Sequence, residues 1–292
     1  MFNQLLVNSL IAASVYTLVA VSFSLIYSTT RFFHFAHAAV FTAGAYFAYL
    51  FYILSGLPLF IAIALSIIFS AVLGSLIELY VYRPLRKTSA SSMVLLLASL
   101  GVYIVLQNLI SMIFGDDTKS IRAGDVVEGI NILGARITPI QIIIIITSII
   151  LIILLSMFLQ KSKLGMAMRA VANDPELTKI SGIDSDKIIA WTFLIGSALA
   201  GIAGILVALD VDMTPTMGMN ALMMGVVAAI IGGIASIPGV ALGALLLALA
   251  QNFGVWKISS QWQDAIAFVI LILFLLFRPE GFLGRKVKKA MV

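Results

Sequence analysis

An all-α, polytopic transmembrane helical bundle of eight or nine membrane segments, some of them short or broken, is the fold class this sequence predicts. Three observations predict it. Of the 292 residues 62% are hydrophobic and only 11% charged, against about 45–50% and about 25% in ordinary soluble domains. So few charges cannot cover the surface of a water-soluble globule. Apolar runs of about 20 residues, enough at about 1.5 Å per residue to cross the hydrocarbon layer, recur along the chain. The net charge of +5 falls in short loops between those runs, which fits a lipid surface and not nucleic acid. Cysteine is absent, which removes disulfides, thiol nucleophiles and thiolate metal sites.

The first run, 5–27, has no basic residue before it and no small-residue cleavage site after it, so it is read as part of the mature fold. The run 38–54 is shorter and follows a polar stretch. Full spans then come at 59–81, 90–113, 139–160 and 187–209. Two further short runs, 219–235 and 238–252, are interrupted by Gly and Pro, and 262–277 is the last span. Short, interrupted runs suit tilted or broken helices whose freed backbone groups face protein or water. Small residues recur every fourth position at Gly196, Ala200 and Gly204, at Gly225, Ala229 and Gly233, and at Gly239 and Gly243, as close helix packing in lipid requires. The whole of 1–292 reads as one domain.

Lysine and arginine set the orientation. Arg83, Arg86 and Lys87 form one cluster; Lys161, Lys163, Arg169, Lys179 and Lys187 a second; Arg278, Arg285, Lys286, Lys288 and Lys289 a third. Only Lys119, Arg122, Arg136 and Lys257 fall in the alternate loops. The expectation is that 82–89, 161–187 and the C-terminus are cytoplasmic, with 114–138 and 253–261 outside. The side of the N-terminus depends on whether 28–54 crosses or folds back.

Two interrupted stretches, 28–54 and 210–252, each precede a span that ends in Arg-Pro, at Arg83-Pro84 and Arg278-Pro279. Paired interruptions of this kind point to internal duplication and to a solute path at the repeat interface; helix termination alone also accounts for Arg-Pro. In the first stretch, Ser28 to His37 sets hydroxyls, a cation and two imidazoles between apolar helices, where lipid cannot satisfy them. His34 and His37 share a helix face at i, i+3. Substrate contact and a structural role are both open to them. A metal site is a poor fit for two imidazoles with no nearby carboxylate or thiolate. In the second stretch Pro215 and the Gly232-Gly233 pair imply a sharp reversal between two short helices. Gln107 and Asn108 offer polar groups to a solute or to another helix. Glu78 is expected in a boundary ion pair with the 83–87 cluster, and Asp264 at the positive end of the last helix.

The loop 161–187 is well punctuated. Asp174 is a natural N-cap, Pro175 suits the first helical position, Glu176 favours the positive end of the dipole, and Gly182 suits a left-handed stop. A short capped helix is therefore expected there, with Leu177 and Ile180 available to a partner.

This loop, with Gly165, Arg169, Ala170, Asp174, Gly182 and Ile183, resembles the coupling segment of permease subunits of the branched-chain amino acid ABC importer family, LivH type. Other stretches resemble that family in the same order: 32–46 from Phe32 through Phe35, His37 and Gly44 to Tyr46, Tyr82-Arg83-Pro84-Leu85-Arg86, 100–108 ending in Gln107-Asn108, Pro215 to Gly218, 232–239 and 277–284. The resemblance covers most of the chain. It departs at 34–39, where the family's Asn-Phe-Ala-His-Gly-Glu is His34-Phe35-Ala36-His37-Ala38-Ala39, closer to the sister LivM type.

The resemblance implies a permease subunit in the inner or plasma membrane. It implies a second, LivM-type permease, two ATP-binding subunits that hold ATP and magnesium, and an external solute-binding protein as partners. It points to leucine, isoleucine or valine as solute, with urea or short amides behind them. Gly165, Arg169, Asp174, Glu176, Leu177, Ile180 and Gly182 would then couple to the ATPase. His34, Phe35, His37, Gly44, Gln107, Asn108, Pro215, Gly232 and Gly233 would line or shape the path. No cofactor, metal or catalytic residue is expected in this chain, because it has no Gly-rich lysine loop for phosphate and no paired catalytic groups. An ion-coupled secondary transporter is the rival reading, and it would need an ionisable group deep in the membrane.

Overall fold

A computed structural model describes residues 1–122, 129–132 and 134–284. Its elements are helices α1 (Phe2–Thr30), α2 (Ala36–Leu54), α3 (Leu59–Lys87), α4 (Ser92–Phe114), α5 (Pro139–Lys161), α6 (Lys163–Asn173), α7 (Pro175–Ile180), α8 (Ser185–Asp210), α9 (Met217–Gly232), α10 (Ile237–Val255) and α11 (Ser260–Phe277). A two-stranded antiparallel hairpin, β1 (Ile130–Ile132) and β2 (Ala135–Ile137), precedes α5. Eight of the helices are long and apolar enough to span a bilayer, and α9 is a shorter apolar helix.

Burial separates a centre from a periphery. In α1, α2 and α8 most of the apolar window is covered by protein, 72%, 61% and 67%, whereas in α4, α5 and α11 it is 22%, 17% and 6%. The first three therefore form the core, and the others present their sides to lipid or to another protein. α1 packs against α10, α9 and α8, while α2 lies between α8, α3, α4 and α9. Apolar contact supplies no drive between helices in lipid, so the close approach rests on small residues. Gly225 meets Val19, Gly196 meets Ile26, and Gly243 meets the Ala228 carbonyl.

The bundle has two faces. α1 starts where Gln4 and Arg136 exchange hydrogen bonds beside the hairpin, at 3.0 and 2.7 Å, and ends where Arg31 donates to the carbonyl of Ala172 at 2.5 Å. Lys119 pairs with Met213 and Arg122 with Asp212 on the hairpin face; Arg31, Arg83, Arg86 and α6–α7 lie on the opposite, basic face. The two groups of cations separated in the sequence thus occupy opposite ends, and the N-terminus lies at the hairpin end. Arg285, Lys286, Lys288 and Lys289 lie outside the described residues.

Every expected span falls on a helix, and three local features differ from expectation. α3 does not end at Arg83-Pro84 but runs on to Lys87. A wider, π-helical turn at Glu78–Tyr82 comes just before Pro84, which loosens the backbone where proline would otherwise clash and leave a carbonyl unpaired. The other pair behaves as expected, since α11 stops at Phe277. The loop 161–187 holds two helices rather than one, α6 preceding the short α7, and the 114–138 loop contains the hairpin.

Candidate functional site

The break between α1 and α2 is the polar centre of the bundle. Arg31, with φ of 58°, turns the chain out of α1 in the left-handed region. Residues 31–35 then lead into α2, whose N-cap Phe35 has no side-chain cap. His34 and His37 are both fully buried. His34 Nδ1 lies 2.9 Å from the Tyr82 hydroxyl of α3, and His37 Nε2 lies 2.8 Å from Ser22 Oγ of α1. Ser99 of α4 accepts from the Phe35 N–H and donates to the Phe33 carbonyl, both at 3.1 Å. Side chains of three helices, α1, α3 and α4, therefore hold this break, and neither imidazole reaches the surface of the chain.

Above the break, α2 and α8 touch backbone to backbone. A Cβ added at Gly44 would lie 2.6 Å from Gly201 Cα, and one at Gly204 would lie 2.0 Å from the Phe41 carbonyl oxygen. Neither obstacle can rotate away. Gly204→Ala is expected to force the two helices apart and cost about 1–3 kcal/mol, read as a lowered thermal midpoint of the purified protein. Gly101→Ala on α4, where nothing lies within 4 Å, is the control, with a gain of about 0.5–1 kcal/mol from helix propensity.

The remaining candidates do not converge on one spot. Pro215 is buried in the segment that enters α9, and Gly218, just after it, abuts the Ala38 carbonyl and Thr42 of α2. Gln107 is half-buried and Asn108 exposed on α4, with Asn108 Nδ2 donating to the Ile104 carbonyl at 2.7 Å. Gly232 and Gly233 form the reversal between α9 and α10 at the basic face. Gly233, with φ of +96°, adopts a conformation that favours glycine. The segment after α11 packs on this reversal, Phe282 and Leu283 donating to the carbonyls of Ile231 and Gly232 at 2.9 and 3.1 Å. Sequence reasoning missed Asn220, an exposed amide in the first turn of the otherwise apolar α9. Its only signal was a polar residue inside an apolar run.

The basic-face knob is built as its punctuation demands. Asp174 accepts from the N–H groups of Glu176 and Leu177, each at 3.0 Å, and caps α7. Gly182, at φ +82°, ends it with its N–H on the Lys179 carbonyl. Leu177 is 60% and Ile180 83% exposed. Beneath them α6 buries Met168 and Val171 against α8, and Gly165 sits on the end of α5 with Arg169 exposed. The Ser185 hydroxyl donates to the Pro175 carbonyl at 3.3 Å. Asp184 caps α8 by accepting from the Lys187 N–H, which holds its carboxyl below the usual range.

Beside the knob lies an ion network. Glu78, fully buried in the π-helical turn of α3, accepts from both terminal nitrogens of Arg86, one at 2.9 Å. Arg86 also reaches Asp186 of α8 at 3.5 Å, and Asp186 lies 3.8 Å from Arg83. The expected boundary pair of Glu78 is therefore present, with Asp186 as a third member from α8.

The family model described as "Branched-chain amino acid transport system / permease component" matches residues 5–275. The chain is 38% identical over 297 residues to the high-affinity branched-chain amino acid transport system permease protein BraD of Pseudomonas aeruginosa, covering 97% of this chain and 96% of that protein. It is 31% identical to the corresponding permease protein LivH of Escherichia coli, covering 97% and 96%. Among solved structures, PsaBC from Streptococcus pneumoniae in complex with Fab aligns with a TM-score of 0.54 at 14% identity, over 94% of this chain and 91% of that one. At that identity the likeness concerns the fold alone.

Proposed function

The chain belongs to the family of branched-chain amino acid transport permease components, and from that premise we propose how it moves its solute. It is a multi-pass permease subunit of an ABC importer. The solute is leucine, isoleucine or valine, as the names of its relatives suggest, handed over by an external binding protein. The basic face is cytoplasmic, in line with the positive-inside rule, and the hairpin face receives the solute. ATP and magnesium bind two separate ATPase chains.

The observation that carries the coupling is the knob. A capped helix exposes Leu177 and Ile180 to the aqueous side while its base is fastened to the core by Arg31, Ser185 and α6. An exposed apolar pair on a rigid projection suits docking into a groove of a partner. A push on it reaches α1 through the Ala172 carbonyl and α8 through Ser185. The backbone contacts at Gly44 and Gly204 pass it on to α2 without compressible side chains between. Alternating access then follows as a rigid-body shift of packed helices.

The path runs where this chain meets a second permease. α4 and α9 both pack on α2, and each carries an exposed asparagine, Asn108 and Asn220; these amides would meet a polar solute in an otherwise apolar surround. His34 and His37 act behind this surface, holding the start of α2. The test is reconstitution in proteoliposomes with the ATPase chains and binding protein. Leucine uptake is expected to require ATP and to survive a protonophore. Uptake by the permease alone, or uptake that collapses with the proton gradient, would favour the ion-coupled reading and reject this one.

A further inference from the structure

The two histidines of this chain are its only ones, and each is left with one bonded and one orphaned ring nitrogen. His34 Nε2 and His37 Nδ1 are fully buried without a protein partner. We propose that a single buried water binds between them. It closes a hydrogen-bonded chain that runs from Tyr82 of α3 through His34 and His37 to Ser22 of α1 and pins the start of α2.

The proton positions support this. Ser22 Oγ has one proton and two acceptors in reach, the Val19 carbonyl at 2.9 Å and His37 Nε2 at 2.8 Å; His37 Nδ1 is a bare acceptor if Ser22 donates to Val19 and bears a proton if Ser22 donates to Nε2. At His34 the Tyr82 hydroxyl meets Nδ1. If Tyr82 donates, Nε2 bears a proton and needs an acceptor; if Tyr82 accepts, Nε2 is a second bare acceptor. A water, with two donors and two acceptors, satisfies every one of these tautomers, whereas a direct ring-to-ring bond satisfies only those in which one orphaned nitrogen is protonated and the other bare. The ring centroids are 5.6 Å apart and inclined at 59°, and no bond joins the orphaned nitrogens. An oxygen off the line between the rings can stand about 2.9 Å from each nitrogen at this centroid separation and inclination. Phe23 packs on His37, and Phe32 and Phe193 pack on His34, none of them with a polar group to offer. A cation is a poor occupant, since no group of three His, Cys, Asp or Glu able to hold a metal ion occurs among the described residues. Buried polar atoms left without protein partners are where ordered waters sit.

A structure of the assembled transporter, at a resolution that shows buried waters, is expected to reveal one peak within hydrogen-bond distance of both His34 Nε2 and His37 Nδ1. An empty gap, or rings in direct contact, overturns the proposal. Nitrogen-15 histidine spectra of the same complex give a second readout, with signals assigned by their loss in His34→Gln and His37→Gln. His34 Nε2 and His37 Nδ1 are each expected to show contact with water. A scalar coupling between the two rings, the mark of a direct N–H···N bond, overturns it as well.

Discussion

Replacing Leu177 and Ile180 together with aspartate is expected to abolish uptake while the chain still folds and inserts. Both side chains are mostly exposed, so their loss from the isolated subunit changes stability by no more than about 0.5 kcal/mol each. At a docked interface the same residues would be desolvated. A buried apolar anchor at such a site carries about 2 kcal/mol or more, and two of them exceed about a hundredfold in affinity for the partner. The measurement is co-purification of the ATPase chain together with ATP-driven leucine uptake. Loss of both, with an unchanged melting profile of the permease, is the expected result. If the ATPase chain still binds and uptake persists, docking lies elsewhere on the basic face. Glu176→Ala is expected to act in the same direction but more weakly, because its carboxylate adds only a favourable charge at the first turn of α7.

The spans were legible because lipid imposes a length and a composition on each of them, and neither depends on what lies next to the helix. The knob's α7 was legible for a related reason. Asp174, Pro175 and Gly182 act on their own immediate backbone, so their meaning is local. α6 was not read, although Leu164, Met168 and Val171 recur at helical spacing and Ser162 caps the helix by accepting from the Gly165 N–H. Interspersed Lys163 and Arg169 made the segment resemble a solvated loop. The hairpin was hidden by its shortness, three residues a strand around Gly134. At the polar centre the sequence marked His34 and His37 as groups that lipid cannot satisfy. It had no means of naming Ser22 and Tyr82 as their partners, since these pairings are set by how α1, α2 and α3 cross and not by spacing along the chain. The glycine tracks occupy an intermediate position: their role in packing was legible, but which backbone each one meets was not.

Arg86→Met is expected to be among the most destabilising single substitutions in the chain. It leaves the Glu78 carboxylate fully buried, with both of its oxygens stripped of their guanidinium partner. Removing one member of a buried pair in this way costs about 3–5 kcal/mol, because the desolvation of the remaining charge is no longer offset. Asp186 would lose its contact too, although it is partly exposed and water can replace much of that interaction. The double substitution Glu78→Met, Arg86→Met removes both charges, and a buried ion pair replaced by apolar groups of similar volume is often close to neutral. Its melting temperature is therefore expected to return near that of the wild type, which a thermal-melt double-mutant cycle reads directly. Transport separates structure from coupling. Arg86 joins α3 to Asp186 at the first turn of α8, just beyond the knob, so the stable double variant should bind the ATPase chain through Leu177 and Ile180 yet show reduced uptake per ATP hydrolysed. Full recovery of both stability and transport would mean that the network only anchors the basic ends of the two helices. A single Arg86→Met variant as stable as the wild type would contradict the burial of Glu78 itself.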